Sequence, residues 1–482
     1  MNTIATRLGT VRGLDNGKVK SYLGIRYGEP PTGQHRFMPP VMAPAWRGTL
    51  DASRYPNRAM QDRDTGSLGQ KVAGELSEDC LFLNIVTPST SGNLRPVLVW
   101  IHGGGFVSGS ANEYDGTVLA EQGDVVVVTV NFRLGTFGFL DLSSQGPGYE
   151  GSASNGVQDL ILALQWVQDN IEDYGGDPGN VTIFGESSGG TLVLSLLAAP
   201  AADRLFHKAI AHSATCAYKA AYDQTEKLAL RLGVGNDEYL DKLRSMTATE
   251  IVELGLRFRV SVDGQVITRP TFDAITDRGT AGVPLLTGTN LNEGTLYTEG
   301  DDEAKDHYPS MNHLLATEML LGEDPDFYLE SLREAYPDAS PGKIHEMLWT
   351  DMFRRTCTLA AQLSTTAGPG GWLYRFDLPA NLPEFRRFGA THSSEMAFTF
   401  NTFANPGTHA RTFHDRNDPV VRRVAREWSD AIIRMARSGD PTGGELPAWP
   451  VYEPRDRQCL IVDENIRIES DPDSLHRSLW GQ

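Results

Sequence analysis

The sequence predicts an α/β protein, a mostly parallel central sheet with helices on both faces. Two observations lead there. In the first half of the chain, short β-branched runs (residues 96–101, 125–130 and 181–184) alternate with helical patterns. In the helical pattern that starts near Asn155, Val157, Leu160, Ile161, Leu164 and Ile171 fall at i, i+3, i+4, i+7 and i+14, an apolar stripe that has to face a sheet. Alternating β and α elements close as βαβ units, whose crossover helices cover both sides of the strands.

Taken in chain order, these elements carry chemistry at their ends. Residues 96–101 read as a buried strand, and His102-Gly103-Gly104-Gly105-Phe106 follows directly. Three glycines leave backbone amides bare, so a substrate carbonyl can come within hydrogen-bonding distance and a developing oxyanion can be held there. His102 is read as a structural histidine bracing this loop. Residues 181–190 run from a strand through Gly185-Glu186-Ser187-Ser188-Gly189 into an apolar helix. In this G-x-S-x-G pattern, glycines two before and two after the serine let strand and helix approach closely. Ser187 is thereby set at a helix N-terminus, where unpaired amides and the positive dipole end suit developing negative charge. Glycine-rich loops of the first kind pair with the amide of the residue after the serine, here Ser188.

An acid and a base follow the serine in such chains, each on a loop after a later strand. Residues 284–288 form a short apolar strand and 289–294 the loop that leaves it, which puts Glu293 where open α/β sheets place their sites. Residues 371–376 form a further strand, followed after a Pro-containing loop by Gly389-Ala390-Thr391-His392. With 11 histidines in the chain, spacing alone leaves the role of His392 open. His409 and His414 follow no strand and are read as surface residues. Residues 218–370, more helical and more charged apart from a break near Pro284, are read as insertions roofing the site. Residues 460–462 are a late strand. The polar, glycine-rich stretch 66–74 is read as a mobile loop at the pocket mouth.

Several longer motifs add a resemblance. They are Gly24-Ile25-Arg26-Tyr27-Gly28-Glu29-Pro30-Pro31 with Arg36-Phe37, Ser77-Glu78-Asp79-Cys80-Leu81-Phe82-Leu83-Asn84-Ile85, Asn131-Phe132-Arg133-Leu134-Gly135, and Asn170-Ile171 through Gly175-Gly176-Asp177-Pro178. Asn292-Glu293-Gly294 and His392 with Glu395, Met396, Phe398 and Phe400 complete the set. Over nearly its whole length the chain resembles the type-B carboxylesterases, the family of bacterial para-nitrobenzyl esterases, animal carboxylesterases and cholinesterases. The resemblance implies an α/β-hydrolase fold, read as one domain over residues 1–482, and a serine esterase for small to medium carboxylic esters. It implies a Ser187–His392–Glu293 triad, oxyanion amides on Gly104, Gly105 and Ser188, and no metal or organic cofactor. Ion pairs between Arg36 and Glu78 and between Arg133 and Asp159 are also implied. The alternatives are a non-catalytic binding or adhesion protein on the same scaffold, and a lipase, amidase or lactonase of the same fold.

The departures from the family pattern matter too. Ser188 stands where the family has alanine, adding a hydroxyl beside the nucleophile. Ala59-Met60-Gln61 replaces the family's C-P-Q, so the bridge from there to Cys80 cannot form. No aromatic residue lies between Gln61 and Glu78, so no quaternary-ammonium cage is expected. Asp159-Leu160 replaces the usual D-Q without catalytic consequence.

Composition bounds the rest. A chain of 482 residues supports a large core, although length alone would suggest two or three domains. The net charge of −19 argues against nucleic acid and anionic membranes as partners. The expected partners are an ester and water, and the expected state is a monomer or small homo-oligomer. Residues 1–13 contain no apolar signal core, and the longest apolar run, 125–130, is too short to span a bilayer. Cys80, Cys216, Cys357 and Cys459 lack metal-ligand spacing and read as free thiols, which makes a bacterial cytoplasm the simplest location.

Overall fold

The structure, a computed structural model, describes all residues except 63–70, 218, 222–224, 302–304, 306, 320–323, 406–411 and 481–482. The chain divides into two compact units, one chiefly Met1–Ile210 with Cys216–Val283, the other Ala211–Thr215, Pro284–Gly407 and Arg411–Gln482.

In the first unit the strands are β1 (Asn2–Thr6), β2 (Gly9–Asp15), β3 (Lys20–Arg26), β4 (Phe82–Thr87), β5 (Arg95–Ile101), β6 (Val126–Val130) and β7 (Gly176–Glu186). They lie in the order β1-β2-β3-β4-β6-β5-β7. The pairs β1/β2, β2/β3, β3/β4 and β4/β6 are antiparallel, whereas β6/β5 and β5/β7 are parallel. The expected βαβ alternation therefore accounts for β5 to β7, and an antiparallel N-terminal ladder precedes it. Strands β5 and β6 are continuous apolar runs because both faces are covered: Val97, Leu98, Trp100, Val126, Val127 and Val128 are all fully buried. Helix α1 (Asn155–Asn170) buries Val157, Leu160 and Leu164 of the stripe read from the sequence; Ile161 is half-buried, and Ile171 is buried just past the helix end. Helix α2 (Ser188–Ala198) is buried all round, as its small and apolar residues allow.

Both implied ion pairs form in this unit. Arg133 Nε and Nη2 donate to Asp159 at 2.8 and 2.7 Å, with side chains 2% and 0% exposed. Arg36 Nε donates to Glu78 at 2.7 Å, and its Nη1 donates to the carbonyls of Leu243, Arg244 and Met246, tying down the C-terminal end of the helix Tyr239–Ser245. Removing one partner of such a pair would strand a buried charge at a cost of about 3–5 kcal/mol.

After β8 (Lys208–His212), whose last residues enter the second unit, that unit carries β9 (Leu285–Asn290), β10 (Gly371–Phe376), β11 (Gln458–Val462) and β12 (Arg467–Ser470). The pairs β9/β10 and β10/β11 are parallel and β11/β12 antiparallel. Its long helices are α3 (Tyr308–Met319), α4 (Pro325–Ala335), α5 (Pro341–Ala367) and α6 (Pro419–Ser438). Helix α5 starts where it does because Ser340 Oγ caps the Lys343 amide at 3.1 Å and Pro341 needs no acceptor at the first position. Asp418 caps α6 in the same way, and Gly439, at φ 80°, ends it. A core of Leu315, Tyr328, Leu329, Leu332, Ile344, Leu348 and Phe353 joins α3, α4 and α5, and Trp480 closes it from the short C-terminal helix α7 (Ser474–Leu479). The helical character expected for the middle of the chain is thus present. Among the described residues, no helix is long and apolar enough to cross a membrane.

Three sequence readings turn out otherwise or lie out of reach. His414 is buried, not a surface residue: its Nε2 lies 3.3 Å from the Leu378 carbonyl and its ring meets Phe398 edge-on, at a centroid distance of 4.9 Å. Burial pushes its pKa down to about 4, so it packs as a neutral ring. His409 lies outside the described residues. So does the 66–74 stretch as far as residue 70; beyond it the chain is pinned, with Asn112 Nδ2 donating to Ala73 O at 2.9 Å and Arg58 Nε to Gly74 O at 2.9 Å.

His476 of α7 fastens the C-terminus to α5. Its Nδ1 lies 2.9 Å from Asp351 Oδ2 and its Nε2 2.8 Å from the Tyr336 hydroxyl, with Arg354 and Asp473 also nearby. Burial alone would lower the His476 pKa; the charge and hydrogen bond of Asp351 override it and raise the value. A raised histidine stabilises the fold fully below its unfolded value of about 6.5 and loses that contribution as pH rises through the folded value. Thermal unfolding between about pH 6 and pH 8 should therefore show the wild type losing more stability than His476→Gln.

Candidate active site

The elbow is built from backbone proximity. Strands β5 and β7 run in register to their ends, Ile101 beside Gly185, so the glycine-rich loop and the serine turn leave the sheet together. A Cβ on Gly185 would sit 2.6 Å from Gly189 C and 2.8 Å from Ile101 O; one on Gly189 would sit 2.1 Å from Ile101 O. Any side chain at either place would wedge strand from helix. Ser187 itself has φ 58° and ψ −125°, a conformation that L-residues rarely hold, and is half-buried between buried neighbours. Strain of this kind is confined to positions that the surrounding fold over-determines.

The adjoining loop is equally constrained. A Cβ on Gly103 would lie 2.8 Å from Glu186 O and 3.2 Å from Ser187 Cβ, so only glycine lets the loop pass beside the serine. Gly104 and Gly105 take φ 113° and 63°. The Gly104 carbonyl accepts from the amides of Val107 and Ser108 and from Ser108 Oγ, at 3.2, 3.1 and 3.0 Å. Its own amide is left over. Among the described residues, nothing accepts from the amides of Gly104, Gly105 or Ser188. Unpaired donors at a helix start and in a glycine loop are what an oxyanion needs. His102 braces the loop as expected: Nδ1 lies 2.9 Å from Gly103 O, the ring stacks on Phe132 at 4.5 Å, and burial lowers its pKa to about 4. Gln61 secures the far end, exchanging two hydrogen bonds of 3.0 Å with the Gly109 backbone. Ser188 is the first residue of α2 and buried, and its added hydroxyl leaves its amide available.

In the second unit Glu293 and His392 meet. Strands β9 and β10 are in register from Leu285/Gly371 to Asn290/Phe376, and the loops beyond them pair again through the bridge Asn292–Thr391. Asn292 Oδ1 accepts from the Ala390 amide at 3.2 Å, and Thr295 Oγ1 bonds Thr391 Oγ1 at 2.8 Å. Gly294 passes so close to α5 that a Cβ would stand 1.9 Å from Glu346 O, which explains the glycine after the glutamate. His392 Nδ1 then lies 2.5 Å from Glu293 Oε2. The other carboxylate oxygen accepts from Ser213 Oγ at 2.5 Å, the Asn290 amide at 2.6 Å and Asn290 Nδ2 at 3.3 Å. Arg354 of α5 holds the strand end by donating to the carbonyls of Asn290 and Leu291 at 2.8 and 3.0 Å.

Glu293 is fully buried, which by itself would raise its pKa. The charge and hydrogen bond of His392, with those of Ser213 and Asn290, outweigh burial and lower it. The carboxylate is therefore anionic and acceptor-only, so the short contact fixes the proton of neutral His392 on Nδ1 and leaves Nε2 as the basic nitrogen. Phe353 stacks on the imidazole at 4.8 Å and 24°, and Tyr297 approaches it at 5.9 Å. Ser213, Asn290, Phe353 and Tyr297 were not singled out from sequence. Ser213 and Asn290 lie at the carboxyl ends of strands, a placement too common to single them out.

The family model described as Carboxylesterase family matches residues 1–480. The para-nitrobenzyl esterase of Bacillus subtilis (strain 168) is 36% identical over 494 residues, covering 98% of this chain and 97% of that protein. The human cocaine esterase is 31% identical over 484 residues, covering 92% and 84%. The solved structure of a thermophilic PNB esterase superposes with a TM-score of 0.88 at 33% identity, covering 99% of each chain. The fold is that of the α/β-hydrolases. The chain belongs to the carboxylesterase family and is a carboxylic ester hydrolase.

Gly189→Ala should break the elbow, since its methyl meets backbone that no side-chain rotation can clear. Overpacking of this kind costs about 1–3 kcal/mol, and the melting temperature should fall together with activity.

Proposed function

We propose that the protein hydrolyses small to medium carboxylic esters by two-step acyl transfer on Ser187. His392 Nε2 takes the Ser187 proton as the oxygen attacks the ester carbonyl. Glu293 keeps the imidazole in the required tautomer and stabilises the imidazolium that forms. The amides of Gly104, Gly105 and Ser188 receive the oxyanion. His392 then protonates the departing alcohol, and water repeats the sequence on the acyl-enzyme. What supports the reading most is the 2.5 Å hydrogen bond from His392 Nδ1 to a buried carboxylate with three further donors. The same reading places the protein in a reducing compartment, a bacterial cytoplasm, with its four cysteines as free thiols.

With para-nitrophenyl acetate, Ser187→Ala should lower kcat by about 10⁶-fold. Glu293→Gln, which offers the wrong partner to Nδ1, should lower it by about 10⁴-fold. Near-normal turnover by the serine variant would remove Ser187 from the mechanism.

A further inference from the structure

The strand that delivers Glu293 and the strand that leads to His392 are tied together by a carboxylate that belongs to neither. Arg354, buried on α5, spreads its guanidinium over the end of β9. Its Nε donates to Thr289 Oγ1 at 3.3 Å, and its Nη2 donates to the carbonyls of Asn290 and Leu291 at 2.8 and 3.0 Å. Leu291 lies two residues before Glu293, and the Asn290 amide is itself a donor to the Glu293 carboxylate. Arg375 stands beside Thr289 in the register of β10 against β9, and its Nε and Nη2 pair with Asp377 at 2.8 and 2.7 Å. Nη1 of Arg354 and Nη1 of Arg375 then donate to the same atom, Asp473 Oδ1, at 3.0 and 2.9 Å.

Asp473 is the residue before α7, and α7 is seated on α5 at a second point. His476, three residues after Asp473, meets Asp351, three residues before Arg354. The two contacts are spaced alike on both segments, so α7 docks as a unit, with Trp480 buried beyond it. Charge makes Asp473 indispensable to Arg354. The other acceptors of Arg354, a hydroxyl and two carbonyls, are neutral, whereas Arg375 has Asp377 of its own. A buried guanidinium without a counter-charge is strongly unfavourable, and two of them side by side repel. Without Asp473, Arg354 would turn towards water and release the carbonyls of Asn290 and Leu291.

We propose that Asp473 and Arg354 are positioning residues for the triad, and that the seating of α7 sets how firmly Glu293 is held against His392. The inference rests on Glu293 being the acid of the triad. The contact at stake is the 2.5 Å bond between Glu293 Oε2 and His392 Nδ1. A displacement of about 1 Å, caused far from the reacting atoms, can cost about 100-fold in rate. The carboxylate also favours the charged imidazolium, so a looser carboxylate leaves His392 with a weaker hold on its proton. A residue that supports only the fold would change the melting temperature and leave the titration of the base where it was.

Asp473→Asn should lower kcat for para-nitrophenyl acetate by about 10- to 100-fold, with KM close to the wild-type value. The acidic limb of kcat/KM against pH, which reports His392 in the free enzyme, should move to lower pH. Asp473→Glu should recover most of the rate, since a carboxylate again stands between the two guanidiniums. Arg354→Lys keeps the charge but replaces a planar fork with a single point, which cannot reach two carbonyls and Asp473 together. It should show the same losses, and it takes the place of Asp473→Asn should that variant not fold. Wild-type kcat in the folded variant would overturn the proposal. So would a fall in rate with the acidic limb unmoved, which marks a general loosening of the fold. Failure of the triad reading would look different, as Glu293→Gln would then itself retain wild-type kcat.

Discussion

A carboxylate held charged inside the protein is the constraint on which the rest depends. Glu293 has no exposure to water, and an isolated charge there would cost several kcal/mol or be neutralised by a proton. It remains an anion because three separate stretches bring donors to it: Ser213 after β8, Asn290 at the end of β9, and His392 beyond β10. None of these donors is adjustable on its own. Ser213 and Asn290 sit at or just past strand ends, and the bridge between Asn292 and Thr391 returns the loop beyond β10 to bring His392 to the carboxylate.

The serine turn solves the opposite problem. There the difficulty is to bring backbones together, and glycine does it: Gly103, Gly185 and Gly189 each stand where a Cβ would collide with main-chain atoms. The close approach leaves amides at Gly104, Gly105 and Ser188 without partners among the described residues, a cost accepted in the resting protein. Charge is concentrated in one place and charge-accepting capacity in another. The proposed reaction, which develops negative charge on a carbonyl oxygen and positive charge on an imidazole, would use both.

Much of this could be read from the sequence because the residues concerned stand in fixed local patterns. The glycines around Ser187 and the glycine after Glu293 are local requirements, and local requirements leave local signatures. The helix Asn155–Asn170 was legible for the same reason, since its stripe repeats within four turns. Ser213 and Asn290, by contrast, act at the carboxylate through a meeting of distant strand ends, and a serine or asparagine after a strand is too common to stand out. The antiparallel ladder β1–β4 was missed because strands such as Asn2–Thr6 and Gly9–Asp15 are short and mix apolar residues with polar ones and glycine. His414 was misread because its burial comes from Phe376 and Phe398, residues far from it in the chain. The rings beside His392 join Tyr297, just past Glu293, to Phe353 on α5, a proximity that only the fold creates.

The most direct test of the central claim is nitrogen-15 and proton NMR of histidine-labelled enzyme in the resting state at neutral pH. The account predicts a far-downfield proton bonded to His392 Nδ1, shared with the Glu293 carboxylate and lost in Glu293→Gln. A His392 ring protonated on Nε2 instead, or a downfield proton that survives the loss of the carboxylate, would contradict it.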